Sequence, residues 1–170
     1  MGRIECVLSG NVWLMNGLRV FAGLALVATA AISSASTRIT TYDALVKALK
    51  NGEHVRIVVE YAKTKLQVAG KDAPSPDAWG GLEVTTWDKF AKGQVGNDKE
   101  FVGITHSALT QHPAFGYITN FVRFKFDPDG SVSINTRYVR PGPTEPLSDQ
   151  LFTSKLSNGK DKNAVSVFVG

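Results

Sequence analysis

FVGITHSALTQHPAFGYITNFVRFKFDPDGSVSINTRYVR, residues 101–140, decides the fold. Three extended segments are legible in it, at 101–106, 117–126 and 131–140. Along the third, Val132, Ile134, Thr136 and Tyr138 fall on one face and Ser131, Ser133, Asn135 and Arg137 on the other. That is a period of two, the repeat of a strand with one face buried and one wet. The second segment sends Ile118, Val122, Phe124 and Phe126 inward and Arg123 and Lys125 outward, with Asn120 in the inward set and Phe121 in the outward one. This exchange predicts either a bulge or a second apolar contact surface. Between them, Asp127-Pro128-Asp129-Gly130 is a hairpin turn, because proline presets φ and glycine accepts a positive φ.

Working outward, Thr40 or Thr41 can cap a short helix in which Ala44, Leu45, Ala48 and Leu49 recur at helical spacing and Lys47 and Lys50 favour the C-terminal end. Val55, Ile57, Val59 and Tyr61 then alternate as a strand. The stretch 69–81, rich in Gly and Pro, reads as a loop whose Trp79 folds back onto the body. Leu82, Val84 and Thr86 alternate as a strand leading to Trp87 and Phe90, and further strands are expected at 147–156 and 165–169. The expected fold is a β-rich α+β domain: an N-terminal helix packed on a strongly bent antiparallel sheet of about six to eight strands, either open or closed as a barrel to remove its edges.

At the start of the chain, Arg19 precedes an apolar run at 20–32, too short for the roughly 20 residues of a spanning helix, followed by Ser33-Ser34-Ala35. This is the layout of a secretory signal peptide, with the cut expected between Ala35 and Ser36, leaving 36–170 as one domain. Met15 alone would open a conventional leader. The lone cysteine, Cys6, leaves with it, so the mature chain holds no disulfide and no thiolate metal ligand. Removing Arg3, Arg19 and Glu5 lowers the net charge from +4 to +3. The lysines are scattered among neutral and acidic neighbours, a pattern that speaks against a nucleic-acid partner and for a solvated surface. The expected location is periplasmic or secreted, by bacterial export, with no membrane attachment after cleavage.

The candidate chemistry is sparse. His106 and His112 could reach a common metal, yet a zinc site needs three or four ligands, so no metal or other cofactor is expected. Ser107 beside His106 faces the other side of a strand, and no Gly-x-Ser-x-Gly elbow exists. Asp127 and Asp129 lack the continuation of a calcium loop beyond Gly130. Trp79, Trp87, Phe90, Phe115 and Tyr117 sit at strand ends or in loops, where they either pack in the core or line the mouth of a pocket, with His106 and Arg123 as the polar groups that orient a ligand. Trp79, Trp87, His106, Tyr117 and Arg123 are therefore the candidate binding residues.

Pro76-Asp77-Ala78-Trp79-Gly80-Gly81, Phe90-Ala91 with Gly93, Gly116-Tyr117-Ile118 through Asn120-Phe121-Val122-Arg123-Phe124, Asp129-Gly130-Ser131-Val132 and Thr136-Arg137-Tyr138 together resemble the VirK family of small exported bacterial proteins. The similarity runs from Thr41 to about Leu156. It implies export and an association with virulence and host interaction, and brings no established activity with it. Where the family pattern has a cysteine after the first strand, this chain has Lys63-Thr64-Lys65. The expectation is a non-enzymatic protein that binds a partner protein or small ligand. The alternative is an envelope enzyme, hydrolase-like, using His106 with a carboxylate; a His106–carboxylate pair in a deep polar pocket would distinguish it.

Overall fold

The computed structural model describes residues 36–140 and 146–170; the signal peptide expected at residues 1–35 lies outside the described residues. In chain order the elements are β1 (Thr37–Ile39), α1 (Tyr42–Lys50), β2 (Val55–Glu60), a 3₁₀ turn (Tyr61–Lys63), β3 (Lys65–Val68), β4 (Lys71–Ala73), β5 (Trp79–Glu83) and β6 (Trp87–Phe90). Then come β7 (Phe101–His112), β8 (Gly116–Phe126), β9 (Ser131–Val139), β10 (Ser148–Lys155) and β11 (Val165–Val169). They form a four-stranded sheet, β1-β11-β2-β5, and a seven-stranded sheet, β4-β3-β10-β9-β8-β7-β6, in which every strand pair is antiparallel. The β-rich α+β expectation holds, with eleven strands among the described residues rather than six to eight.

Alternation builds the core. Ile57, Val59, Val165 and Val167 from the smaller sheet meet Ile104, Phe124, Ile134 and Phe152 from the larger in one apolar cluster, each almost fully buried. A side chain buried this completely contributes about 1.5–3 kcal/mol. Helix α1 adds Tyr42, Leu45, Ala48 and Leu49 to the same cluster. Its N-terminus is held by Thr41, whose Oγ1 accepts from the Ala44 N–H at 3.2 Å. Tyr42 is buried beside the Glu100 carboxylate; burial first and that charge second push its hydroxyl up to about 12, although the geometry falls short of a hydrogen bond. Gly81 is required by contact: a Cβ there would lie 2.8 Å from the Ile57 carbonyl oxygen.

The barrel is not formed. Strands β4 and β6 end the larger sheet and β1 and β5 the smaller, and no ladder joins them. The edges are managed differently: all four terminal strands are three to five residues long, and β4 carries Lys71 and Asp72, which blunts it against further pairing. The chain passes between sheets at the 3₁₀ turn, where the Thr64 N–H donates to the Tyr61 carbonyl at 2.9 Å.

The β7–β8 hairpin runs on well past the core. Sequence alternation ends the first segment at His106, but the ladder continues from Val102↔Phe126 to His112↔Gly116. Residues 105–111 are all exposed. The ladder passes through Asn120 and Phe121 without a bulge, pairing them with Ala108 and Ser107. Phe121 is thus displayed on a second apolar surface, 46% exposed. The turn at 127–130 forms as expected: the Gly130 N–H donates to the Asp127 carbonyl at 3.0 Å and Gly130 has φ +78°.

Candidate ligand-binding face

The outward residues of β7, β8, β9 and β10 lie in cross-strand rows on the face of the larger sheet turned away from the core. One row holds Thr105, Arg123 and Asn135; the next holds Ser107, Phe121, Arg137 and Asp149. Period-two alternation sends these residues out because it sends Ile104, Phe124 and Ile134 in. All of them except Asp149, together with Thr86, His106 and Val139, line an open groove of about 1030 Å³. A second depression of about 340 Å³ shares Arg123 and Asn135 with it and extends to Lys125 and the 95–97 loop. Arg123 and Asn135 therefore stand on the saddle between the two.

Three cations line this surface, and two have carboxylate partners. Arg137 reaches Asp149 Oδ2 with a terminal nitrogen at 3.0 Å and with Nε at 3.1 Å. The Asn135 amide donates to Asp149 Oδ1 at 2.8 Å. That amide first, and Arg137 after it, hold the Asp149 carboxyl below the usual carboxylate range. Lys125 lies 3.1 Å from Asp127 and over the Phe101 ring at 5.0 Å. Arg123 makes no hydrogen bond or ion pair among the described residues. Among the described residues the surface thus offers one uncompensated guanidinium flanked by hydroxyls, an amide and the Phe121 ring, which can hold a carboxylate, phosphate or sulfate by a two-pronged contact while stacking an apolar part.

Of the residues singled out in the sequence, His106 and Arg123 both line the groove. Tyr117 lies on the same face further along the hairpin, opposite Gln111, and is 66% exposed. Trp79 does not join them. It opens β5 in the smaller sheet, opposite Glu60, and at 68% exposure it does not fold back onto the body; Gly80 and Gly81 let the strand continue flat against β2 and leave the indole on the outer side. Trp87, opposite Ile104, packs partly buried against the core. Phe90 is taken up by Phe101, with ring centres 5.1 Å apart. Phe115 stacks on His112 at 4.6 Å. The mouth-of-barrel arrangement is replaced by an open sheet face.

The histidine pair is corrected in the same way. His106 and His112 share one continuous strand, six residues apart, so about 20 Å separates them, and they cannot share an ion. His112 Nδ1 instead accepts from the Ala114 N–H at 3.1 Å. Among the described residues no group of three or more His, Cys, Asp or Glu side chains converges as a metal site. Among the described residues no carboxylate pairs with His106, and the His–carboxylate contact present is His54–Glu83 at 3.1 Å, on the surface. Asp127 and Asp129 face Lys99, at 3.6 and 3.2 Å, as a charged hairpin end. Sequence reasoning missed Thr105, Ser107, Asn135 and Arg137 as groove residues; the signal available was the polar half of the alternation that defined the core.

Fold and face define an open, two-sheet β-rich domain with a ligand-sized groove on its larger sheet. A sequence model of the VirK protein family matches residues 38–144, and the chain belongs to that family. A crystal structure of a VirK family protein from Legionella pneumophila is similar in fold, with a TM-score of 0.57 and 19% identity over 77% of this chain and 98% of that one. No curated protein matches the sequence.

Proposed function

We propose that this VirK-family chain is an exported, host-facing protein that works by binding rather than by catalysis, and that its ligand sits in the groove on the larger sheet against Arg123. The observation that carries this reading is the Arg123 guanidinium, without a carboxylate partner among the described residues, at the saddle of a groove of about 1030 Å³. The groove has the size of a site for a small organic molecule. His106 has no carboxylate partner among the described residues, which favours binding over hydrolysis. The leader layout of residues 1–35 supports export, and the family resemblance supports a role at the host interface.

The binding reading is tested by thermal denaturation of the mature chain with a series of anions: citrate, inorganic phosphate, and uronic-acid and sulfated sugars. At least one should raise the melting temperature of the parent and leave Arg123→Gln unmoved. A series without effect on the parent would sink it. Export is tested by fractionation and N-terminal sequencing, with Ser36 expected as the first residue and an intact leader in the membrane pellet as the contrary result.

A further inference from the structure

Strand β6 pairs with β7 only through Phe101–Ile104. One further bond follows, from the Thr105 N–H to the Thr86 carbonyl at 3.2 Å, and there the chain of β6 turns away. Beyond that point β7 runs on to His112 with β8 on one side and no strand on the other among the described residues. In an antiparallel ladder, successive residues point their amide groups to opposite sides. Thr105 points toward β6, so Ser107, Leu109 and Gln111 aim their N–H and C=O groups into the open side.

Open edges are normally guarded by charge, proline or shortness. This one is not guarded: residues 106–111 read His-Ser-Ala-Leu-Thr-Gln, with no formal charge, no proline and no glycine, and every residue exposed. On the outer face beside it, Leu109 is 68% and Phe121 46% exposed. The edge is also a wall of the groove, since Thr86, Thr105, His106 and Ser107 line it. A strand laid along the path that β6 vacates would fill it.

Resting on the reading of the groove as a binding site, we propose that its ligand is an extended segment of a partner protein, added as a strand to the free edge of β7 and carrying an acidic residue for Arg123. Backbone bonds to Ser107, Leu109 and Gln111 supply sequence-independent affinity. Alternate side chains of the segment fall on the outer face next to Leu109 and Phe121, and its end nearest Thr86 comes toward Arg123. The charge of Arg123, which meets no carboxylate among the described residues, selects an acidic segment over a basic one.

The test is a panel of capped eight-residue peptides that alternate valine and threonine, with glutamate, lysine or serine near either end, titrated into the isotopically labelled mature chain. The expected result is that glutamate peptides shift and protect the amides of Ser107, Leu109 and Gln111, bind about tenfold more tightly than lysine peptides at low salt, and lose most of that preference at about 1 M salt. Leu109→Pro should abolish binding, because it removes a donor that points away from β8 and so spares the β7–β8 ladder. If that variant does not fold, protection of the three amides in the parent decides. No shift with any peptide overturns the proposal. Small anions that bind through Arg123 while these amides stay unmoved would keep the groove as a binding site and overturn strand addition. A concentration-dependent dimer dissolved by Leu109→Pro would give the edge to a second copy and likewise overturn it.

Discussion

Two nitrogens of Arg137 converge on a single oxygen of Asp149, at 3.0 and 3.1 Å, while one strand away Arg123 meets no carboxylate among the described residues. The groove is therefore electrostatically lopsided. Its positive end is set as much by where Asp149 stands as by where the arginines do.

Asp149→Asn should strengthen binding of anilinonaphthalene sulfonate, an anionic and aromatic probe, by about threefold at low salt, because it releases Arg137 from its partner. Arg123→Gln should weaken the same probe by about tenfold. Stability should change by under about 1 kcal/mol in both, since the charges are solvated and screened. Fluorescence titration of both variants checks this, and a weaker Asp149→Asn would mean that Arg137 needs its partner to stay in place.

Gly130→Val should destabilise the fold by about 1–3 kcal/mol. The cause is backbone strain at φ +78°, because nothing lies within 4 Å of the added Cβ. Chemical denaturation against the parent measures it, and an effect as small as that of Asp129→Asn would show that the turn adapts.

Asp129 accepts from the Ser131 N–H at 3.0 Å and meets Lys99 at 3.2 Å, and these hold its carboxyl down at about 2, the backbone bond more than the lysine. A depressed folded pKa adds stability that is fully present above the unfolded value, near 3.9, and is lost as pH falls through about 2. Between pH 4 and pH 2 the parent should lose more stability than Asp129→Asn, whose amide oxygen keeps the Ser131 contact. Parallel urea titrations at both pH values would reveal it; equal slopes would discount the hairpin carboxylate.

Trp79 and Trp87 should behave as opposites. Trp79→Ala, at an exposed outer position, should cost under about 1 kcal/mol. Trp87→Ala, at the rim of the core, should cost about 2–4 kcal/mol. In a chain of residues 36–170 the emission lost with Trp79 should be red and that lost with Trp87 blue. Reversed spectra would contradict the placement of both strands.

The centre of the fold was legible because burial on one side writes itself into the chain: Ile118, Phe124, Ile134 and Tyr138 could be assigned to strands and faces from spacing alone. The far half of β7 was not, because Ser107, Ala108, Leu109 and Thr110 are exposed on both faces and alternation then carries no information. Short edge strands such as Lys71–Ala73 have too few residues to show a period. Trp79 misled for a different reason: an aromatic in a Gly- and Pro-rich stretch suggests an anchor, yet here the stretch pairs flat onto β2 and the indole is left outside. Of the candidate site, Arg123 and His106 were found through their polarity on apolar strands, whereas Asn135 and Arg137 became meaningful only when the ladder set them beside Arg123.

Strand β11 lies between β1 and β2 and brings Val165 and Val167 to the centre of the core. The smaller sheet therefore stays divided until residues 165–169 arrive, and β1 has no hydrogen-bonding neighbour before then. Pairing across so much intervening chain is slow to form. A polypeptide with this wiring leaves the ribosome with its smaller sheet still in two parts, and the arrival of β11 is what locks the fold.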